Sequence, residues 1–160
     1  MDGRSEPVPT QRDRTYDAEN ECDVFHQPIS IDEAMRLVKL ARQKLGIPEL
    51  RAEIHPGKKP DWGGEYRKGK FLGFVKGRWP PEELWTNEPT IHIFGGGLCA
   101  GTVAHEIAHH LSPAWEHNSH GPDFRGQCVR VVRTLWPWTA WADELEAAFR
   151  NAGLGVAGAN

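Results

Sequence analysis

The sequence predicts an α+β fold: a small, mostly antiparallel sheet packed on an N-terminal helix and a histidine-rich helix, followed by two C-terminal helices. Three observations predict it. Apolar residues recur at helical spacing in four separate stretches. Between the first and second stretches lie short β-branched or alternating runs punctuated by Gly and Pro. Those runs are grouped rather than alternating with helices, which is the pattern of α+β chains.

At 160 residues and 39% hydrophobic content, the chain can build one domain with its own core and is too short for two of ordinary size. Residues 1–23 are polar, with Pro7 and Pro9 and few apolar anchors, and are expected to form a mobile arm held at most by docking. The folded domain is expected over 24–153, with 154–160 as a tail.

The first helix starts after Ser30, where "SIDE" matches a capping box: Ser30 accepts from the third helical N–H while Glu33 reaches back to the cap. Met35, Val38, Ala41 and Leu45 form its apolar stripe, and Gly46 followed by Pro48 ends it. Strands are expected in "LRAEIH" from Leu50, in "FLGFVKG" from Phe71, and over Thr90–Phe94, "TIHIF". A second helix is expected over 98–111, because Pro113 biases Ser112 out of the helical region. A third begins at Pro122, a residue suited to a first helical turn, and turns Phe124, Val129, Val132 and Leu135 inward. Pro137 separates it from a last helix over 139–152 with Ala140, Leu145, Ala148 and Phe149 as its apolar set.

A net charge of −3 gives no reason to expect strong sequence-blind attraction to nucleic acid or anionic membrane, and any such contact would be local. The charged N-terminus has no apolar core like a signal peptide's, and no apolar run is long enough to span a bilayer, so a cytoplasmic location is expected. Cys22, Cys99 and Cys128 are far apart and form no C-x-x-C pair, which reads as reduced thiols. From Lys58 to Arg78, basic residues interleave with Trp62, Tyr66, Phe71, Phe74 and Trp79. That mixture could track single-stranded nucleic acid. With a negative net charge, a solvated hairpin whose aromatics face the core is the better reading. Gly95, Gly97 and Ala100 fit G-x-G-x-x-A, but the second strand and acidic residue of a dinucleotide site are missing, so no nucleotide cofactor is expected.

Function concentrates in "GTVAHEIAHHLSPAWEHNSHGPDF", Gly101 to Phe124. His105, Glu106 and His109 make H-E-x-x-H. On a helix, residues i and i+4 share a face one turn apart, so two imidazoles can reach one metal ion at about 2.0 to 2.1 Å. Glu106, on the neighbouring azimuth, is then placed to take a proton from a water that zinc has acidified. Val103, Ile107 and Leu111 fall on the other side for burial. A catalytic zinc needs a third protein ligand. The extended H-E-x-x-H-x-x-G-x-x-H pattern would need Gly at Ser112 and His at Trp115 and is excluded. No acidic residue lies between Asp123 and Asp143, which removes a glutamate on the next helix and leaves His117, His120 or Asp123. His120 stands directly before a helix start, where a loop can turn its ring back.

"HEIAHH" with a downstream "HGPDF" resembles the SprT-like (Spartan-type) zincin proteases. More closely, "RDRTYDAE", "TIHIF", "HEIAHHLSP" and "HGPDF" are similar to the metallohydrolase family of actinobacteria and their phages, over most of 12–149. The resemblance implies a zincin-like fold in which the histidine of H-G-P-x-F, here His120, is the third zinc ligand. It implies Zn2+ as cofactor, Glu106 as the catalytic group and a peptide or protein substrate. The zinc ribbon of the DNA-repair Spartan proteins has no counterpart here. His110 points off the ligand face and His117 lies in the loop; both are expected to support a ligand or contact substrate at most. Asp123 either orients a ligand or favours its helix N-terminus. The competing reading is a non-catalytic, zinc-stabilised module that binds nucleic acid or a protein.

Overall fold

The computed structural model describes residues 8–55, 64–67, 69, 71–86, 88–96, 98–116 and 118–158. The chain enters through α1 (Gln11–Asn20). Thr10 and Asp13 make a reciprocal capping box: each backbone N–H donates to the other's side chain at 3.1 Å. Thr15, Ala18 and Glu19 are buried, and Cys22 just beyond is 1% exposed. Residues 11–20 of the expected arm form this helix, which packs on the last helix and on the histidine cluster. "TQRD" carried the signal for its start; its few apolar residues masked it.

Ser30 opens α2 (Ile31–Lys44), its hydroxyl accepting the Glu33 N–H at 3.1 Å. Glu33 does not complete the box, because Arg36 takes its carboxylate at 2.6 and 2.8 Å. Ala34, Leu37, Val38 and Ala41 form the buried stripe. Among the described residues five strands follow: β1 (Arg51–His55), β2 (Gly64–Arg67), β3 (Phe71–Phe74), β4 (Glu83–Trp85) and β5 (Thr90–Phe94). Their three-stranded sheet has the order β1-β5-β2, with β5 parallel to β1 and antiparallel to β2; β3 and β4 pair separately as an antiparallel ribbon. The main sheet is therefore mixed rather than mostly antiparallel, because the long excursion between β1 and β5 lets the chain return in the same direction.

Ile91 and Ile93, each 1% exposed, point from β5 into the core. Next come α3 (Ala100–Leu111), α4 (Pro122–Leu135) and α5 (Trp141–Asn151). As expected, Phe124, Val129, Val132 and Leu135 of α4 and Leu145 and Phe149 of α5 are buried. Trp136 and Trp141 pack edge to face at 5.5 Å, whereas Trp138 and Trp115 are exposed. The tail is docked as well: the Ala157 N–H donates to the Pro122 carbonyl, and Leu154 is buried. All three cysteines are free, and burial pushes the Cys22 thiol up to about 12. No helix among the described residues is long and apolar enough to cross a membrane.

The arrangement matters for α3. It packs against α2, α4 and β2, so Ala100, Val103, Ala104, Ile107 and Ala108 are buried together with His105, Glu106 and His109. A helix buried on nearly all sides ordinarily excludes polar side chains. Three such residues in one turn therefore need partners built by other elements.

Candidate metal centre

His105 and His109 lie one turn apart on α3 with ring centroids 4.9 Å apart. His120 joins them from the loop before α4, at 5.0 Å from His105 and 4.8 Å from His109. One ligand atom from each of these buried residues lies within 4.8 Å of the others, so the cluster could hold a metal ion.

The loop is shaped residue by residue. His120 adopts φ 51, a left-handed conformation that a non-glycine residue holds only where its surroundings fix it. Its N–H donates to the Glu116 carbonyl at 2.8 Å, and its carbonyl accepts from the Arg125 guanidinium at 2.6 Å. Gly121 lies against the Glu116 carboxylate with no room for a Cβ. That same carboxylate accepts the Phe124 N–H at 2.8 Å and so caps α4, which begins at Pro122. The Phe124 ring, fully buried, sits 4.9, 4.6 and 4.6 Å from His105, His109 and His120. In "HGPDF", four of the five side chains or their absence thus serve the histidine cluster.

Hydrogen bonds orient the rings. His105 Nδ1 is 2.8 Å from Glu19 Oε1, and His120 Nδ1 is 3.3 Å from the Asn118 carbonyl. Both acceptors require a proton on Nδ1, which leaves each neutral ring a lone pair on Nε2. The two Nε2 atoms face each other at 3.2 Å. Lone pairs at that distance repel unless a proton or a metal cation lies between them, so this donor set fits a bound cation. At His105 burial opposes the charged ring, but the charge and hydrogen bond of Glu19, with Glu106, outweigh it and raise the pKa. The pocket is built to hold positive charge.

Glu106 is 8% exposed, and burial raises its pKa to about 6 although His105 and the Tyr66 backbone N–H pull it down. It lies against β2, where a Cβ on Gly64 would stand 3.2 Å from Glu106 Cγ. Tyr16 completes the site from α1: its ring stacks on His105 at 5.5 Å, and its hydroxyl is 3.3 Å from His120 Nε2. It also borders an open groove lined by Arg12, Asn118 and Ser119.

The structure therefore gathers His105, Glu106, His109 and His120. It places His110 elsewhere, bonded to Tyr66 Oη at 3.1 Å and Glu49 at 2.7 Å. Asp123 is exposed in the first turn of α4, a position suited to the helix N-terminus. His117 lies outside the described residues, as do Lys58, Lys59, Trp62, Lys68 and Lys70 of the basic stretch. Of the rest, Arg67 pairs with Glu65 and Arg78 with Glu82. Tyr66 packs against the core as expected, whereas Phe74 and Trp79 are 59% and 89% exposed, so the expectation is corrected for these two. A two-stranded ribbon has too little surface to cover them.

Sequence reasoning missed Glu19, Tyr16 and Arg125. Glu19 follows Tyr16 by three residues, one face of a helix, and only the cap at Thr10 could have revealed that helix. A carboxylate that fixes a ligand imidazole is worth about 10–100-fold in metal affinity. Glu19→Gln is expected to weaken divalent-metal binding by that factor in a competition titration with a chromophoric chelator; an unchanged affinity would remove Glu19 from the site.

The chain matches none of the family models, curated proteins or solved structures with which it was compared.

Proposed function

We propose that the chain is a zinc-dependent peptidase of zincin-like fold, related to the SprT-like and actinobacterial metallohydrolases that its motifs resemble. The observation that carries this reading is the convergence of three buried imidazoles beside one buried carboxylate of raised pKa. His105, His109 and His120 would hold Zn2+, which when bound supplies a Lewis acid that makes water nucleophilic near neutral pH and polarises a carbonyl.

The rest is done by the chain. Glu106, with a pKa near 6, is basic enough at neutral pH to accept the attacking water's proton and acidic enough to return it to the leaving amine. The Tyr66 N–H holds that carboxylate in place. Glu19 keeps the His105 proton on Nδ1. Burial raises the pKa of Tyr16, so its hydroxyl stays a donor, available to an oxyanion beside His120.

An extended peptide can pair with an edge strand by backbone hydrogen bonds, but β5 is central and paired on both sides. Among the described residues β1 and β2 are the edges of this sheet, and β2 is the one beside Glu106, so the peptide is assigned to β2. Incubating the zinc-loaded protein with a library of unstructured peptides is expected to give cleavage that a chelator abolishes and zinc restores. A library left intact by the loaded protein would argue for the binding-module reading instead.

A further inference from the structure

Strand alternation places Glu53 and His55 of β1 and His92 of β5 together on the sheet face opposite Ile91 and Tyr66. Glu53 is directly across from His92, and His55 is two residues further along β1. His55 Nε2 and His92 Nδ1 are 2.7 Å apart, with ring centroids at 4.9 Å. The Glu53 carboxylate spans the pair, with Oε1 3.9 Å from His55 Nε2 and Oε2 3.9 Å from His92 Nδ1. Stacking on Phe94, at 4.9 Å and 19°, fixes the plane of the His55 ring.

We propose that Glu53, His55 and His92 form a second metal site, for a transition-metal dication of the zinc type, that clamps β1 to β5. Two imidazole nitrogens bound to one tetrahedral ion at 2.0–2.1 Å stand about 3.3 Å apart, so the observed pair must open by only about 0.6 Å. Small rotations bring the carboxylate in as the third ligand. Two nitrogens and one carboxylate suit zinc, nickel or copper and disfavour magnesium and calcium, which prefer oxygen alone. Burial, the largest influence on His92, lowers its pKa, which keeps the ring in its neutral, ligating form at neutral pH. Without metal, the pair shares a single N–H···N hydrogen bond. This site does not depend on any hydrolytic activity at the His105 cluster.

Calorimetric titration of the full chain with zinc tests it. Two equivalents are expected, one tight and one weaker. His92→Ala should weaken the second by about 100-fold or more, beyond the range lost with a mere supporting contact, and leave the first intact. His120→Ala should do the reverse, which separates failure of this site from failure of the peptidase reading. Magnesium should bind at neither. His55→Gln repeats the test with less loss of volume, and imidazole nitrogen NMR of the wild type should show His55 and His92 shifting with the second equivalent. Zinc binding unchanged in both His92→Ala and His55→Gln, whether the wild type takes up one equivalent or two, would overturn the proposal.

Discussion

Glu106→Gln is expected to keep the fold and the bound zinc while peptide hydrolysis falls by about 10²–10⁴-fold, the usual contribution of a positioned acid–base group. The amide fills the same space between α3 and β2, so packing against Gly64 survives. What is lost is proton transfer. The substitution carries a second signature. The folded pKa of Glu106, about 6, lies above the ordinary glutamate value of 4.5, so the folded state holds the proton more tightly. This contribution is full below pH 4.5 and is lost as pH rises through 6. A neutral glutamine avoids the loss. At pH 7 the metal-free variant should therefore melt at or above the wild-type temperature, while its activity is gone. Retained turnover in Glu106→Gln would move the chemistry elsewhere; a binding module would show the same thermal effect with no turnover to lose.

Arg125→Met is expected to cost about 3–5 kcal/mol, since it removes several hydrogen bonds from a charged donor, each worth roughly 1.5–3 kcal/mol. Arg125 is 1% exposed and ties four parts of the chain together. Its guanidinium donates to the Gly155 carbonyl at 2.7 Å, the His120 carbonyl at 2.6 Å, Thr15 Oγ1 at 3.3 Å and Gln11 Oε1 at 3.0 Å. Methionine fills much of the volume but removes the donors to the buried Thr15 hydroxyl and His120 carbonyl, while exposed Gln11 and Gly155 can turn to water. The loss is a large share of the 5–15 kcal/mol that stabilises an ordinary domain. It should lower the melting temperature by roughly 6–20 °C on the scale for chains of this size. Because the same hydrogen bond holds His120 at positive φ, metal affinity should fall as well, although Arg125 touches no metal. A variant that melts within about 2 °C of wild type would show that the tail and α1 are held by other contacts.

The helices from Ser30 onward were legible because each has a cap or a proline at a boundary and an apolar period strong enough to survive without tertiary context. H-E-x-x-H was legible because its chemistry is local to one turn. His120 could be narrowed only to three candidates by spacing, since a loop ligand depends on contacts made elsewhere: the Glu116 carbonyl, the Glu116 carboxylate and Arg125. Glu19 was illegible for a related reason. It lies 86 residues from His105, on a helix whose stability comes from docking rather than from its own composition. Strand β2 also escaped notice: "GEYR" is short, begins with glycine and alternates weakly, and only pairing with β5 makes it a strand.

The claim on which the rest depends is that His105, His109 and His120 hold one zinc ion. Metal analysis after reconstitution with zinc and dialysis against a competing chelator tests it most directly, on the wild type and on each single alanine variant, with circular dichroism as the control for folding. One retained equivalent is expected in the wild type, and none in His105→Ala, His109→Ala or His120→Ala. Zinc absent from the reconstituted wild type, or retained in full by His120→Ala, would contradict it.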